Sequence, residues 1–375
     1  MTGFVAPRRL ARILGCLALL GHAGFAADAP VRTDVFTSGT AGYHTFRIPS
    51  LLVTPRGALL AFCEGRKTST SDAGDIDLVL RRSDDQGRSW GPLTVVHEEG
   101  GDRRVTIGNP CPVVDRSTGT IWLTFCRDNR EVFVTSSHDD GKSWTPPREI
   151  TKSVKKPSWG WYATGPGVGI QLRKGPHAGR LVIPCDHREP VEGKPVMVSH
   201  VFFSDDHGQT WTLGGSADWH TDECQVVELA DGTLLLNMRN YWGSTGQRPD
   251  RGNRRALARS RDAGATWSPL EFDATLIEPI CQASLIRWEH QSQPDRAVLA
   301  FTNPASTTRR HNLTFRVSRD EGKTWASSRV IDAGPSAYSC LAELPDGRLV
   351  LIYERGGSKF LTFTELPPSD PPAAP

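Results

Sequence analysis

The feature that most limits how this chain can fold is an eight-residue pattern that occurs five times. Ser-x-Asp-x-Gly-x-Ser/Thr-Trp reads SDDQGRSW from Ser83, SHDDGKSW from Ser137, SDDHGQTW from Ser204, SRDAGATW from Ser260 and SRDEGKTW from Ser318. The closing tryptophans, Trp90, Trp144, Trp211, Trp267 and Trp325, stand 54, 67, 56 and 58 residues apart. The chemistry is that of a tight turn. Aspartate caps local backbone amides, glycine takes a positive φ, and tryptophan packs back between strands. A calcium loop also alternates aspartate with glycine, but each copy has too few acidic ligands for one. Units of this length cannot bury a core alone and have to stack on their neighbours.

A second repeat surrounds the first. Six hairpins read SLLVTPRGALLAF, PVVDRSTGTIWLTF, GIQLRKGPHAGRLVIP, VVELADGTLLLN, SLIRWEHQSQPDRAVLAF and LAELPDGRLVLIY. The first five lead into a third strand (DIDLVLRRS, EVFVTSS, VSHVFFS, RRALARS, LTFRVS), then the tryptophan turn, then a fourth strand. The sixth leads into KFLTFTEL, and VRTDVFTSG from early in the chain is the natural strand to complete it. The expectation is an all-β protein, a six-bladed β-propeller closed by an N-terminal strand and formed by residues 28–366. The 36 glycines and 27 prolines agree with many turns and short strands.

The flanks read differently. Arg8, Arg9 and Arg12 precede the apolar run ILGCLALLGHAGFAA, which is too short to span a bilayer and ends in small residues. Residues 1–27 are therefore expected to be a secretory signal cleaved near Ala26 or Ala27. ILGC has the look of a lipoprotein box, but the apolar run continues past Cys16. Residues 367–375 form a proline-rich tail. The expected location is secreted or periplasmic, with no integral membrane segment after cleavage. Loss of the three leader arginines leaves 41 basic residues against 42 acidic ones. That balance gives no footprint for nucleic acid or an anionic membrane. Seven cysteines follow Cys16, none in a C-x-x-C pair and most in strand-like contexts such as LLAFC and WLTFC. Buried free thiols, with one or two disulfides at most, fit better than a zinc site or a disulfide scaffold.

Blade topology then orders the charged residues. The start of a first strand, the end of a second and the start of a third share one end of a blade, and the tryptophan turns lie at the other. Arg47, Glu223 and Tyr338 precede or open first strands; Glu64, Arg66, Arg239 and Glu354 end second strands; Asp72 lies in a connection and Arg310 leads into a third strand. Several arginines, acids and a tyrosine thus converge on one face around one axis, which reads as an anion-binding catalytic site rather than a solvated rim.

FRIP at Phe46–Pro49, the five aspartate turns and this order of charges resemble the exo-sialidases, retaining glycoside hydrolases that remove terminal sialic acid from glycans. The resemblance runs from about Arg32 to Glu365. It implies that Arg47, Arg239 and Arg310 grip the sugar carboxylate, that Glu354 orients Arg47, and that Arg66 contacts the sugar's 4-position. It also implies Tyr338 as nucleophile, Glu223 as its base and Asp72 as acid/base, with no metal and no cofactor. Arg309 and Asp75 are the neighbouring alternatives to Arg310 and Asp72. The residue types suit the chemistry independently. Planar guanidinium fits a carboxylate, and a neutral phenol avoids the repulsion an attacking carboxylate would meet there, sialidases being an exception to the two-carboxylate rule. A phenol with a pKa near 10 needs a partner to take its proton. An acid in a connection is expected to close over substrate and stay partly protonated.

Weaker signals stay open. Trp159, Trp161 and Tyr162 could wall a sugar pocket or pack in the core, His187 and Arg188 could reach the glycerol tail, and Trp242 could stack on an acceptor sugar. Sialylated glycans are the expected partners. Another nonulosonic acid such as the deaminated form, transfer to a sugar in place of water, and a non-catalytic sialoglycan-binding propeller are the alternatives.

Overall fold

A computed structural model describes residues 1–4, 32–101, 103–244 and 249–366, so the rest of the expected signal segment and the proline-rich tail fall outside the described residues. The chain is all-β. Its one α-helix among the described residues is Thr151–Val154, and no described helix is long and apolar enough to cross a membrane.

The strands form five sheets. The first contains Thr45–Val53, Leu59–Arg66, Ile76–Ser83 and Thr94–His97; the second contains Ile107–Asp115, Thr120–Arg127, Glu131–Ser137 and Arg148–Glu149. In the third, Tyr162–Thr164 and Ile170–Gln171 both pair with Leu181–Val191, followed by Lys194–Ser204 and Thr212–Trp219. Thr221–Glu228, Leu234–Asn240, Arg254–Ser260 and Glu271–Ile277 form the fourth. The fifth has seven strands, in the order Arg32–Thr37, Phe360–Glu365, Leu349–Arg355, Ser327–Glu343, His311–Ser318, Leu299–Pro304 and Ser284–Arg287.

This corrects the expected architecture. The arrangement is propeller-like, but it has four blades and one seven-stranded sheet, not six blades closed by an N-terminal strand. The reason lies in Ser327–Glu343, a single 17-residue strand. It pairs with His311–Ser318 up to Pro335 and with Leu349–Arg355 from Ser336, so one strand passes from one neighbour to the other where two blades were expected to part. Arg32–Thr37 extends the edge of this sheet by pairing with Phe360–Glu365.

Inner strands of the sheets touch one another around an axis: Thr45–Val53 contacts Ile107–Asp115 and Ser327–Glu343, and Thr221–Glu228 contacts Leu181–Val191 and Ser284–Arg287. Apolar layers fill the space between sheets. Leu60, Phe62, Leu78 and Leu80 of the first sheet, for example, meet Ile107, Leu123, Phe125 and Phe133 of the second.

All five aspartate turns are built alike. The serine hydroxyl accepts from the glycine amide at 2.8 Å, in Gly87, Gly141, Gly208, Gly264 and Gly322. The glycines have φ from 81° to 91°, and the residue before each is also left-handed. Each aspartate spans its turn; Asp262 accepts from the Ser260 hydroxyl at 2.7 Å, the Thr266 amide at 2.9 Å and the Thr266 hydroxyl at 2.5 Å. These bonds occupy the carboxylates locally. The turns also dock neighbouring sheets, since a Cβ on Gly208 would lie 2.2 Å from the Trp122 ring.

Candidate active site

Bulges make the site. Regular pairing slips in Thr45–Val53 between Arg47 and Ser50, in Thr221–Glu228 between Thr221 and Cys224, and in Ser327–Glu343 between Ser336 and Ser339. A bulge breaks the two-residue alternation and re-aims side chains. Arg47, Glu223 and Tyr338 sit at or inside these three slips, which brings them together at one end of the axis. Ile48 has φ 59°, and its amide donates to Glu354 Oε1 at 3.1 Å.

The phenol of Tyr338 is the centre. Its hydroxyl donates to Glu223 Oε1 and accepts from Arg239 Nη1 at 3.1 Å, while the same nitrogen donates to Glu223 Oε2 at 2.7 Å. Two more guanidiniums lie over its ring, Arg47 at 5.2 Å and Arg310 at 5.5 Å from the centroid. Glu354 holds Arg47 from behind through both oxygens, at 3.1 and 3.3 Å. Arg310 is fixed by donating to the Ile280 carbonyl at 3.0 Å, whereas Arg309 is exposed. Arg66 is buried and braced by Glu64 at 2.7 and 3.0 Å. Asp72 bridges two arginines, 2.8 Å from Arg66 and 3.1 Å from Arg47, with its side chain 80% exposed.

Residues 57–351 match the BNR repeat-like domain. Over 356 residues the chain is 36% identical to a sialidase of Micromonospora viridifaciens, an alignment covering 88% of this chain and 53% of that one. Over 359 residues it is 31% identical to an exo-alpha-sialidase of Aspergillus fumigatus, covering 84% and 79% respectively. The chain belongs to the sialidase family. A Hadza microbial sialidase has the same fold, with a TM-score of 0.79 and 32% identity over 89% of this chain and 68% of that one. The chain spans about half the length of the Micromonospora relative.

In this sialidase-family site the charges set the proton positions. Burial, then Glu223, pushes the Tyr338 phenol well above its ordinary value, against the pull of Arg239, Arg47 and Arg310. Burial raises the Glu223 carboxyl too; Arg239 counters it and Asp222 adds to it, leaving a net rise. At Asp72 burial works upward, but Arg66 and Arg47 outweigh it and hold the carboxyl below its ordinary value.

All eight residues implied by the resemblance meet here. Asp75 does not; it pairs with Lys67 at 3.2 Å. His187 is wholly buried, stacked on Trp159 with centroids 3.4 Å apart and bonded to His200 at 3.0 Å, so it cannot reach a glycerol tail. Trp159 and Tyr162 are core residues, while the exposed Arg188 lies over Trp161, 5.8 Å from its centroid. Trp242 packs edge-on against His220 at 4.4 Å.

Two supports went unread in the sequence. Asp222 lies 3.3 Å from Arg239 Nε, and the Tyr241 hydroxyl accepts from Arg239 Nη2 at 2.6 Å; Glu64, already among the converging charges, also accepts from the Asn109 amide at 3.1 Å. Asp222 and Tyr241 flank residues already singled out, Glu223 and Arg239, and that adjacency was the available signal. Among the described residues, no group of three or more His, Cys, Asp or Glu could hold a metal ion. The seven cysteines described, Cys63, Cys111, Cys126, Cys185, Cys224, Cys281 and Cys340, are buried and form no disulfide.

Proposed function

We propose that this protein is an exo-α-sialidase that releases terminal sialic acid from glycans with retention, through a tyrosyl-enzyme intermediate. The observation that carries the reading is the Tyr338–Glu223 hydrogen bond ringed by Arg47, Arg239 and Arg310. Three planar cations around one point suit a carboxylate attached to the reacting carbon. As Tyr338 attacks, its proton passes along the existing bond to Glu223, whose raised pKa makes it a competent acceptor. The arginines offset the charge that develops on the phenol oxygen.

Asp72 serves as acid and then base. In the structure its Oδ1 bonds to Arg47. A substrate carboxylate on Arg47 competes for that cation, and the weakened pairing lets the Asp72 pKa rise toward the value a proton donor needs. The relatives' printed names, sialidase and exo-alpha-sialidase, support the substrate class. Action outside the cytoplasm, secreted or periplasmic, goes with the reading and is supported by the arginine-then-apolar pattern of residues 8–27.

The test is proton NMR of a sialoside during hydrolysis, with a fluorinated sialosyl trap and peptide mass spectrometry alongside. The α-anomer should form first and the label should fall on Tyr338. The β-anomer first, or label on another residue, refutes the tyrosyl route.

A further inference from the structure

Behind the catalytic group stands a carboxyl that the reading above leaves unused. Asp186, in Leu181–Val191, has no exposed surface, and neither of its oxygens receives a hydrogen bond from the described residues. Its register partner is Ser199. Ser199 is tied to the next sheet, its amide donating to Thr221 Oγ1 at 3.0 Å and its hydroxyl to the Asp222 carbonyl. One residue along, the Cys224 thiol donates to the Cys185 carbonyl at 3.3 Å. Asp186 therefore lies against the bulge that carries Asp222 and Glu223, and the Asp222 carboxyl is within reach of its own.

Two facing carboxylates in a dry site cannot both ionise. Their surroundings separate them. Asp222 has the guanidinium of Arg239 beside it, with Nε at 3.3 Å, and neither Asp186 oxygen has a partner among the described residues. Asp186 faces Asp222, Glu223 and Cys224 from one strand, and Tyr241 and Tyr162 from two other segments. The nearby imidazoles of His187 and His200 are kept neutral by burial. The cation among these groups, Arg239, is bound by Asp222, Glu223 and Tyr241, while both Asp186 oxygens are without such a partner, and burial followed by Asp222 pushes the Asp186 carboxyl well above its ordinary value.

Resting on the sialidase reading, we propose that Asp186 is a positioning residue: it keeps a proton at neutral pH and donates it to Asp222, so that one negative charge holds Arg239 by its Nε and aims that guanidinium at Glu223 and Tyr338. The arrangement leaves Arg239 with an ion-pair contact to Asp222 at one edge, at 3.3 Å and without a hydrogen bond at Nε, and with its Nη1 on the reacting pair. A neutral acid as a permanent donor has precedent as a way to use a buried carboxyl.

Infrared difference spectra of the wild type against Asp186→Asn, at neutral pH, test the proton directly. A protonated-carboxyl carbonyl band should be present in the wild type and lost in the variant; its absence from the wild type overturns the proposal. Kinetics test the positioning. Asp186→Asn still donates to Asp222 and should keep kcat/KM within about threefold, whereas Asp186→Leu leaves Asp222 without a donor and should lose about 10- to 100-fold. A 2,3-dehydro analogue of sialic acid, whose carboxylate would lie on Arg239, should bind the Leu variant more weakly and the Asn variant unchanged. Equal behaviour of the two folded variants overturns the role. If Asp186→Leu does not fold, the infrared band and the Asn variant still decide. The band needs no turnover, so a wild type that shows it yet hydrolyses no sialoside refutes the activity and not the proton.

Discussion

The two ends of this molecule are built on opposite principles. At the turn end, each aspartate bonds to residues two to four positions away, as Asp262 does with Ser260 and Thr266, and five copies repeat the motif. At the axial end, Arg47 and Glu354 are 307 residues apart, Tyr338 and Glu223 are 115, and Arg239 and Tyr338 are 99. The turns satisfy themselves and serve the fold. The site satisfies itself only once distant strands have closed around the axis, and its charges are mutually dependent. A change at the axial end should therefore remove activity with little effect on folding, and a change at the turn end should do the reverse.

The largest effect expected is from Asp72→Asn. A natural sugar leaving group has an alcohol-like pKa and needs a proton as it departs, whereas an aryl group departs without one. The variant should lose roughly 10²–10⁴-fold on sialyllactose and far less on the glycosylation step with an aryl sialoside. Its melting temperature should hold, because the side chain is 80% exposed. Comparing kcat/KM on the two substrates checks this, and equal losses on both would remove Asp72 from the acid role.

Arg310→Lys comes next. Arg310 lies over Tyr338 and is held by one carbonyl, and a lysine brings a point charge in place of a planar fork. Transition-state stabilisation should fall by about 2–4 kcal/mol, read from kcat/KM. Near wild-type kcat/KM would show that the third arginine of the carboxylate grip lies elsewhere.

The same contrast explains what the amino-acid order reveals. Bonds between near neighbours leave a motif, so the aspartate turns and the all-β hairpin repeat were legible, down to the positive φ of Gly208. That these charged residues gather at one end of the axis was legible through strand-end logic and the FRIP resemblance. The slips that aim them were not, because an Arg47–Ser50 bulge looks like ordinary alternation followed by proline. The continuous strand Ser327–Glu343 was hidden too. The fourth strand after the fifth tryptophan turn and the sixth hairpin were read as separate blades, yet one strand carries pairing from one neighbour to the other. Asp186 was invisible for a different reason: in LVIPCDHR it looks like the polar end of a strand, and only the packing of the next sheet buries it.

At the turn end, Gly208→Ala should cost more than loss of one cap. The added methyl meets the Trp122 ring at 2.2 Å, and the residue must also hold φ 86°. Stability should fall by about 1–3 kcal/mol, as overpacking does, measured by denaturant midpoint. Specific activity per folded molecule should be unchanged. A collapse of activity at unchanged stability would break the separation of the two ends.

The smallest effect, and the finest test of the comparison, is the pH dependence of Asp262→Ala. Loss of this cap should lower stability by about 1–2 kcal/mol near neutral pH. Burial works against the ionised Asp262, but the Thr266 and Ser260 hydroxyls and the Thr266 amide outweigh it and hold its pKa below the ordinary 3.8. For a carboxylate depressed on folding, the stabilisation is full above the unfolded pKa and is lost as pH falls through the folded one. The gap between wild type and variant should thus stay constant from neutral pH down to about 4, near the unfolded aspartate value, and narrow below it. Urea midpoints across that range measure the gap. A gap that is unchanged at acid pH would mean that side-chain packing, not the hydrogen-bonded charge, makes the turn, and the turn end would then owe its stability to the same close fitting of neighbouring sheets that Gly208 reports.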